Sequence, residues 1–523
     1  MQVRLWFRRA GAVEQRTTAV AVVAVVALLV ASMVVGRGGD TTTTAAGGSG
    51  VVPVGAAPGA TTATVAGPGD TSAAGGGVTP AAGGGGLGSP AAGGGGGLPT
   101  GGDVPTDTGA TPTTATPSGP ITLTASDRGV TESQVTVGFM LQNPAGLNGA
   151  GFSTGQRQDG QQYIQAMADW ANRNGGITGR AVVPVFRYTD PTSVEDQAAA
   201  CRAFVDDAQV FAAVDVASML DTAALDCLVN RDLGDTPFVH SVLWSTTWQG
   251  RSGGNEVSYQ AAIDRISVTW VRDLQAMGWF GPGAVVGILG DKCPATEPTI
   301  NDVLAPALLA AGAARVVVGD HDCNIGAVAS QPAGIATRFR LEGVTHVLIV
   351  SNFVAGQIFV STAASQGFRP QYSTSDWFLN TTDSTTANFD PNEFDGAIGI
   401  ASQGSMLRPS GQQPYDGYQQ CSQIAVEAGL PPIEPDDATS TELLSLCDNF
   451  LLFLDAARRA GPDLTRAAWR DAVASSGQRS SAVFGPSELR PDKLSGSDTV
   501  HTVQWQRGCR CWRSISDLRP AAA

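Results

Sequence analysis

Apolar positions between residues 133 and 516 follow two alternating rhythms. Short, nearly continuous apolar runs are separated by longer stretches in which apolar residues recur every three or four positions. The runs read as buried strands, and the stretches as amphipathic helices. Residues 135–141 (VTVGFML) predict the first strand. A polar, Gly-rich loop opens at Asn143 and reaches about Gly155. The helix after it ends near Asn172 and carries Tyr163, Ile164, Met167, Ala168 and Ala171 on one side. Asn174-Gly175-Gly176 stops that helix, because glycine takes the left-handed dihedrals a helix end needs. Residues 181–188 predict a second strand, and Pro184 puts it at a sheet edge or a bulge. Asp190-Pro191 ends it, and Ser193 caps the next helix.

The rhythm continues with helices over 194–207 and 222–231 and strands over 210–216 and 236–242. It then restarts. Helices are expected over 263–277, 300–311, 335–341 and 355–365. Strands are expected over 284–289, 315–318 and 346–350, with an edge strand over 371–375. A strand over 397–401, helices near 415–428, 443–460 and 465–475, and a hairpin over 500–515 complete the chain. Strands alternating with helices predict parallel, doubly wound sheets, here two of similar plan.

The first 125 residues are of another kind. Residues 1–17 are basic, and residues 18–35 (TAVAVVAVVALLVASMVV) are almost wholly apolar. That length just crosses a bilayer core of about 30 Å at about 1.5 Å per residue. Arg4, Arg8, Arg9 and Arg16 precede the run, and Arg37 follows it. This bias places the N-terminus in the cytoplasm and the remainder outside. An uncleaved membrane anchor is favoured over a cleaved signal peptide, because no clear Ala-x-Ala site follows; secretion is the outcome if it is cleaved. Residues 36–125 are rich in Gly, Thr, Pro and Ala, lack the side chains to build a core, and are expected to form a disordered tether.

Formal charge is −15, and the basic head makes the exported part more acidic still. That excludes the basic footprint nucleic-acid binding requires. All eight cysteines lie at or after Cys201. Proximity suggests Cys201 with Cys227, Cys293 with Cys323, Cys421 with Cys447, and Cys509 with Cys511, out of about 105 possible connectivities. Outside the cytoplasm, disulfides are favoured over zinc ligation.

Residues 174–180 (NGGITGR), followed by a strand and then Asp190-Pro191, resemble the type I periplasmic solute-binding proteins of the Leu/Ile/Val-binding family. The resemblance extends in order over about 133–515. It implies an α/β fold of two lobes, each a doubly wound, mostly parallel sheet, joined by three hinge crossings near Tyr259, near Trp377 and after about Ser476. Lobe 1 is then expected over 133–258 with 378–476, and lobe 2 over 259–377 with 477–516. The implied function is capture of a small polar ligand, an amino acid, amide or related metabolite, for a branched-chain-type ABC permease. A membrane-tethered sensor signalling to a partner protein is the alternative.

Ligands of open α/β sheets sit outside the carboxyl ends of the strands. Residues there are Gln142 and Asn143 after the first strand, Ser218 after the third, and Ser241 and Trp244 after the fourth. The resemblance assigns Ser218 and Ser241 to a ligand carboxylate. From lobe 2 come Asp291, Asn352, Phe353 and Asp376. Family members that bind amino acids place an acid where Ser351-Asn352-Phe353 stands, and its absence argues against a standard α-amino acid. Tyr259, Trp244, Trp248 and Trp377 are candidates for the cleft wall. No Gly-x-Ser-x-Gly elbow and no phosphate loop is present, and the four histidines form no evident triad, so no catalysis, metal or cofactor is expected.

Overall fold

The computed structural model describes residues 122–521 except 144, 150, 153–158, 216–221, 242–244, 403–416 and 435–439. The apolar run at 18–35 and the linker lie outside these residues. Among the described residues no helix is long and apolar enough to cross a membrane.

Five strands make the first sheet: β1 (Gln134–Gln142), β2 (Ala181–Thr189), β3 (Ala212–Asp215), β4 (Phe238–His240) and β5 (Glu256–Ser258). They are parallel in the order β2-β1-β3-β4-β5. Pro184 lies in the outer strand β2, where a missing N–H costs no ladder bond on the open side. The second sheet takes β6 (Val285–Asp291), β7 (Arg315–His321), β8 (His346–Ile349), β9 (Gln371–Ser375) and β10 (Ile398–Ala401). These run in the order β7-β6-β8-β9-β10. Beyond β10, β13 (Thr499–Gln506) and β14 (Cys511–Ser514) add an antiparallel hairpin.

The loop after β1 holds a short helix, α1 (Ala145–Gly149), where only irregular chain was expected. The helices that carry the argument below are α2 (Gly160–Arg173), α3 (Val194–Arg202), α4 (Thr222–Val229), α5 (Thr246–Arg251), α6 (Ile263–Ala276), α7 (Ala305–Ala310), α8 (Ile325–Leu341), α9 (Phe353–Ser365), α10 (Asp383–Thr386), α11 (Gly417–Glu427), α12 (Ser440–Ala460) and α13 (Arg466–Ala474). Helix α12 is buried nearly all round, so its apolar positions do not form a single stripe. It packs Phe450 on Phe139 of β1, with centroids 5.9 Å apart.

The turn at 174–180 joins α2 to β2. Gly175, Gly176, Thr178 and Gly179 all have positive φ. Ile177 and Arg180 exchange backbone bonds of 2.8 and 3.0 Å. The fully buried Arg180 guanidinium donates to the carbonyls of Thr131, Thr124 and Pro462 at 2.7–2.9 Å, clamping three segments of the lobe. Disulfides join Cys201 to Cys227, Cys293 to Cys323, Cys421 to Cys447 and Cys509 to Cys511.

Three expectations need correction. Strand β9 is not an edge: it lies between β8 and β10. Its polar residues Ser373, Thr374 and Ser375 are buried, and Trp270 Nε1 donates to Ser373 Oγ at 2.8 Å. Residues 378–476 do not go wholly with lobe 1, since β10 pairs with β9 and β13. Residues 477–516 do not go wholly with lobe 2. Gly477–Arg479 and Ser487–Leu489 form a separate hairpin, and Ala482, Val483, Phe484 and Leu489 complete the lobe 1 core. A short apolar run suits either sheet, so the pairing was not legible from it.

Candidate ligand-binding cleft

Both sheets share one strand order. Each starts with a central strand (β1, β6), steps to one side (β2, β7), then crosses to the other (β3, β8). The β1/β3 and β6/β8 boundaries are therefore topological switch points, where successive loops leave to opposite faces and open a crevice at the carboxyl ends.

At the lobe 1 crevice, Gln142 ends β1, and its Nε2 is buried without a hydrogen-bond partner among the described residues. Asn143 instead serves local structure: its Oδ1 accepts from Ala145 N at 3.2 Å and starts α1. Ser241 follows β4 and is buried; its Oγ accepts from Asn449 Nδ2 at 2.9 Å. The same Nδ2 group donates to Asp215 O at the end of β3, at 2.7 Å. Asn449 thus fastens α12 to the ends of two strands and keeps a buried Oδ1 unpartnered among the described residues. Next to it, His240 Nε2 and Glu256 Oε1 meet at 3.1 Å, both buried. Ser218 and Trp244 lie outside the described residues.

At the lobe 2 crevice, Asp291 ends β6. It is buried, and its Oδ1 accepts from Cys293 N at 3.1 Å. Burial first, then the nearby Asp320 and Glu297, push its carboxyl up to about 7. Ser351 follows β8, and His321 ends β7; Nε2 and Oγ lie 2.6 Å apart, both groups buried. Burial lowers the His321 pKa, and its Nδ1 lies 2.9 Å from Asp322 O. Asn352 caps α9, accepting from Ala355 N at 3.1 Å. Asn380 Nδ2 donates to Ser351 O at 2.6 Å, and its Oδ1 is unpartnered among the described residues.

Phe353 does not stand free in the cleft. It packs in a cluster with Leu147 of α1, Val328 of α8, and Val354 and Ala355 of α9, with Phe152 against them. The segment after β1 of lobe 1 thereby touches the helix after β8 of lobe 2. Asn388 Nδ2 adds a 3.5 Å contact to Gly151 O.

The crossings form a polar knot. Ser258 N donates to Leu494 O at 3.1 Å, Gly496 N to Ser258 O at 2.8 Å, and Ser497 N to Tyr259 O at 2.6 Å. Tyr259 is buried here, and its hydroxyl accepts from Arg479 Nε at 3.2 Å; burial pushes its pKa up to about 12. Asp376 is also part of the knot. Its Oδ2 accepts from Ser402 N and Oγ at 2.7 and 2.6 Å, and its carbonyl accepts from Gln260 Nε2 at 3.4 Å. The second crossing leaves at Ser402, after β10, in place of Trp377. The third returns at 494–497, in place of the chain just after Ser476.

Residues 150–510 match the family model described as periplasmic binding protein. The chain belongs to the type I periplasmic binding proteins. No curated protein sequence matches it. Many solved structures share the fold. A fatty acid ABC transporter substrate-binding protein from Thermomonospora curvata is 13% identical, with TM-score 0.55, covering 76% of this chain and 95% of that one. A branched chain amino acid ABC transporter protein from Thermus thermophilus, with bound valine, is 13% identical at TM-score 0.54, covering 75% and 98%. A solute binding protein from Rhodopseudomonas palustris BisB5, in complex with 3,4-dihydroxy benzoic acid, is 11% identical at TM-score 0.51, covering 75% and 98%.

In this binding protein, several candidate residues also make framework contacts. Trp377 and Trp248 are core residues in one cluster with Trp270. Asn352 caps α9, Asn143 accepts from the first amide of α1, and Tyr259 and Asp376 belong to the crossings. The His321–Ser351 contact, with both groups buried, ties the end of β7 to the end of β8. Sequence reasoning missed Asn449, although an Asp-Asn pair amid the apolar positions of 443–457 was a readable signal. It also missed Asn380 and the Leu147 contact, which depend on segments far apart in sequence.

Proposed function

We propose that this is an extracytoplasmic solute-binding protein that captures a small polar ligand between its lobes and presents it to a branched-chain-type ABC permease. The observation that carries this reading is the packing of Leu147 and Phe152 on Phe353 and Val354, which joins the two switch points across the cleft. A closed form built on that contact differs in surface from an open one, and a permease needs that difference.

The ligand is polar, and among the described residues neither candidate acid is placed to pair an ammonium group. Asp376 is engaged by Ser402, and Asp291 is buried beneath the Cys293 segment, so neither stands ready for a cation. Gln142 Nε2 supplies a donor, and Asn449 Oδ1 and Asn380 Oδ1 supply acceptors. An amide or a hydroxylated acid meets both needs. The apolar run at 18–35, read as a membrane anchor with a linker after it, favours a second use in which closure signals to a membrane partner.

A thermal-shift screen of the purified protein against amides, hydroxy acids, amino acids and sugars tests the reading. A ligand that binds only the folded state adds about 2.7 kcal/mol at 100 times its Kd. Stabilisation by amides or hydroxy acids supports it. Stabilisation by leucine or valine alone refutes the ligand class, and no stabilisation by any group refutes solute capture.

A further inference from the structure

We propose that the Cys509–Cys511 disulfide is a thiol–disulfide exchange site for an external dithiol. The other three bridges span 26, 30 and 26 residues. Each restrains a long loop of the unfolded chain, as a structural disulfide does. Cys509–Cys511 spans two residues and restrains almost nothing. It sits at the tip of the β13–β14 hairpin, where residues 506–510 are all exposed.

Residues 507–510 form the turn of this hairpin, which brings the two Cα atoms to 5.1 Å and gives Arg510 between them a φ of +53°. The hairpin pairing of Gln506 with Cys511 closes the same turn without the bridge. The two sulfurs also differ. Cys511 is buried and precedes Trp512, which is fully buried and whose N donates to Asp383 Oδ1 at 2.7 Å. Cys509 is exposed, with the exposed Arg510 next to it in the chain, while Arg507 is paired with Asp395.

A thiolate of the external dithiol attacks Cys509 Sγ. The Cys509–Cys511 bond breaks, and Cys511 Sγ leaves as thiolate and takes a proton. The second thiol of the external molecule then attacks its own sulfur in the mixed disulfide, releasing Cys509. The dithiol is oxidised to a disulfide, and the protein is reduced to two thiols. The site acts independently of the ligand cleft, and none of its residues is a cleft candidate.

The test titrates the folded, full-length protein with dithiothreitol, quenches with iodoacetamide and maps alkylated cysteines by peptide mass spectrometry. Cys509 and Cys511 are expected to become half-labelled at a dithiothreitol level about tenfold or more below that required by any other bridge. Arg510→Gly, which removes the cation next to Cys509, is expected to raise that level several-fold. The Cys509→Ser/Cys511→Ser variant is expected to keep its unfolding midpoint while losing one equivalent of dithiol oxidation. In glutathione disulfide, Cys511→Ser should form its mixed disulfide faster than Cys509→Ser. Reduction of all four bridges together, resistance of Cys509–Cys511, or loss of stability in the double variant overturns the proposal.

Discussion

Replacing Gly176 by alanine tests whether the turn at 174–180 is held by carbonyl crowding or by its dihedrals alone. Gly176 has φ +57°, and a Cβ there would sit 2.0 Å from Arg180 O. Arg180 O accepts from Ile177 N at 2.8 Å, and the reverse bond is 3.0 Å. Gly176 O itself accepts from Arg458 Nε at 2.7 Å. Relief of the clash moves Arg180 O by more than an ångström and strains these bonds together. The left-handed conformation costs about 1 kcal/mol with a Cβ, and each lost bond costs about 1 kcal/mol. The expected destabilisation is therefore about 4 kcal/mol. Gly175→Ala is the matched control: φ is +85°, yet nothing lies within 4 Å of its Cβ. It should cost only about 1 kcal/mol. The assay is urea unfolding followed by tryptophan fluorescence. At a slope of about 3 kcal/mol per molar, the two midpoints should differ by about 1 M. Equal midpoints would refute the crowding argument and leave dihedral preference as the whole cause.

Asn449→Ala should leave Asp215 O and Ser241 Oγ without their shared donor. It is expected to cost about 2 kcal/mol of stability and to weaken the ligand found by the thermal-shift screen, checked by isothermal titration. Asp448 lies wholly in the core, and burial pushes its carboxyl up to about 6, despite bonds from Ser481 and from the Ala482 and Val483 amides. A raised carboxyl contributes stability below its unfolded value near 3.8 and loses it as pH rises through 6. Wild type should therefore lose up to about 3 kcal/mol more than Asp448→Asn between pH 4 and pH 7, read from urea midpoints. Asp291→Asn should show the same sign over a window reaching pH 7. Removing Cys201–Cys227 by paired alanines should cost about 3.5 kcal/mol from its loop of 26 residues, measured by the same titration.

Much of the architecture follows from local sequence, because its causes are local. The alternation of strand and helix periods announces two α/β units. Pro184 marks β2 as an edge because proline cannot donate to a ladder. Asn174-Gly175-Gly176 ends α2 because few residues other than glycine accept positive φ. Ser193 was legible as a cap because its partner, Asp196 N, lies three residues away, at 3.1 Å. What the tertiary structure alone decided rests on pairings across long stretches of chain. The apolar run Ile398–Ala401 suits either sheet, and only β9 and β13 assign it to the second. Asp376, Tyr259 and Trp377 look like cleft residues from their places after strands or near crossings, yet Ser402, Arg479 and the Trp270 cluster claim them. Asn449 and Asn380 reach the cleft region only because α12 and the chain after β9 return to strand ends more than a hundred and about thirty residues earlier, respectively. A periodic pattern says which side of an element is buried; it does not say against which partner, and that partner determines which polar groups remain for a ligand.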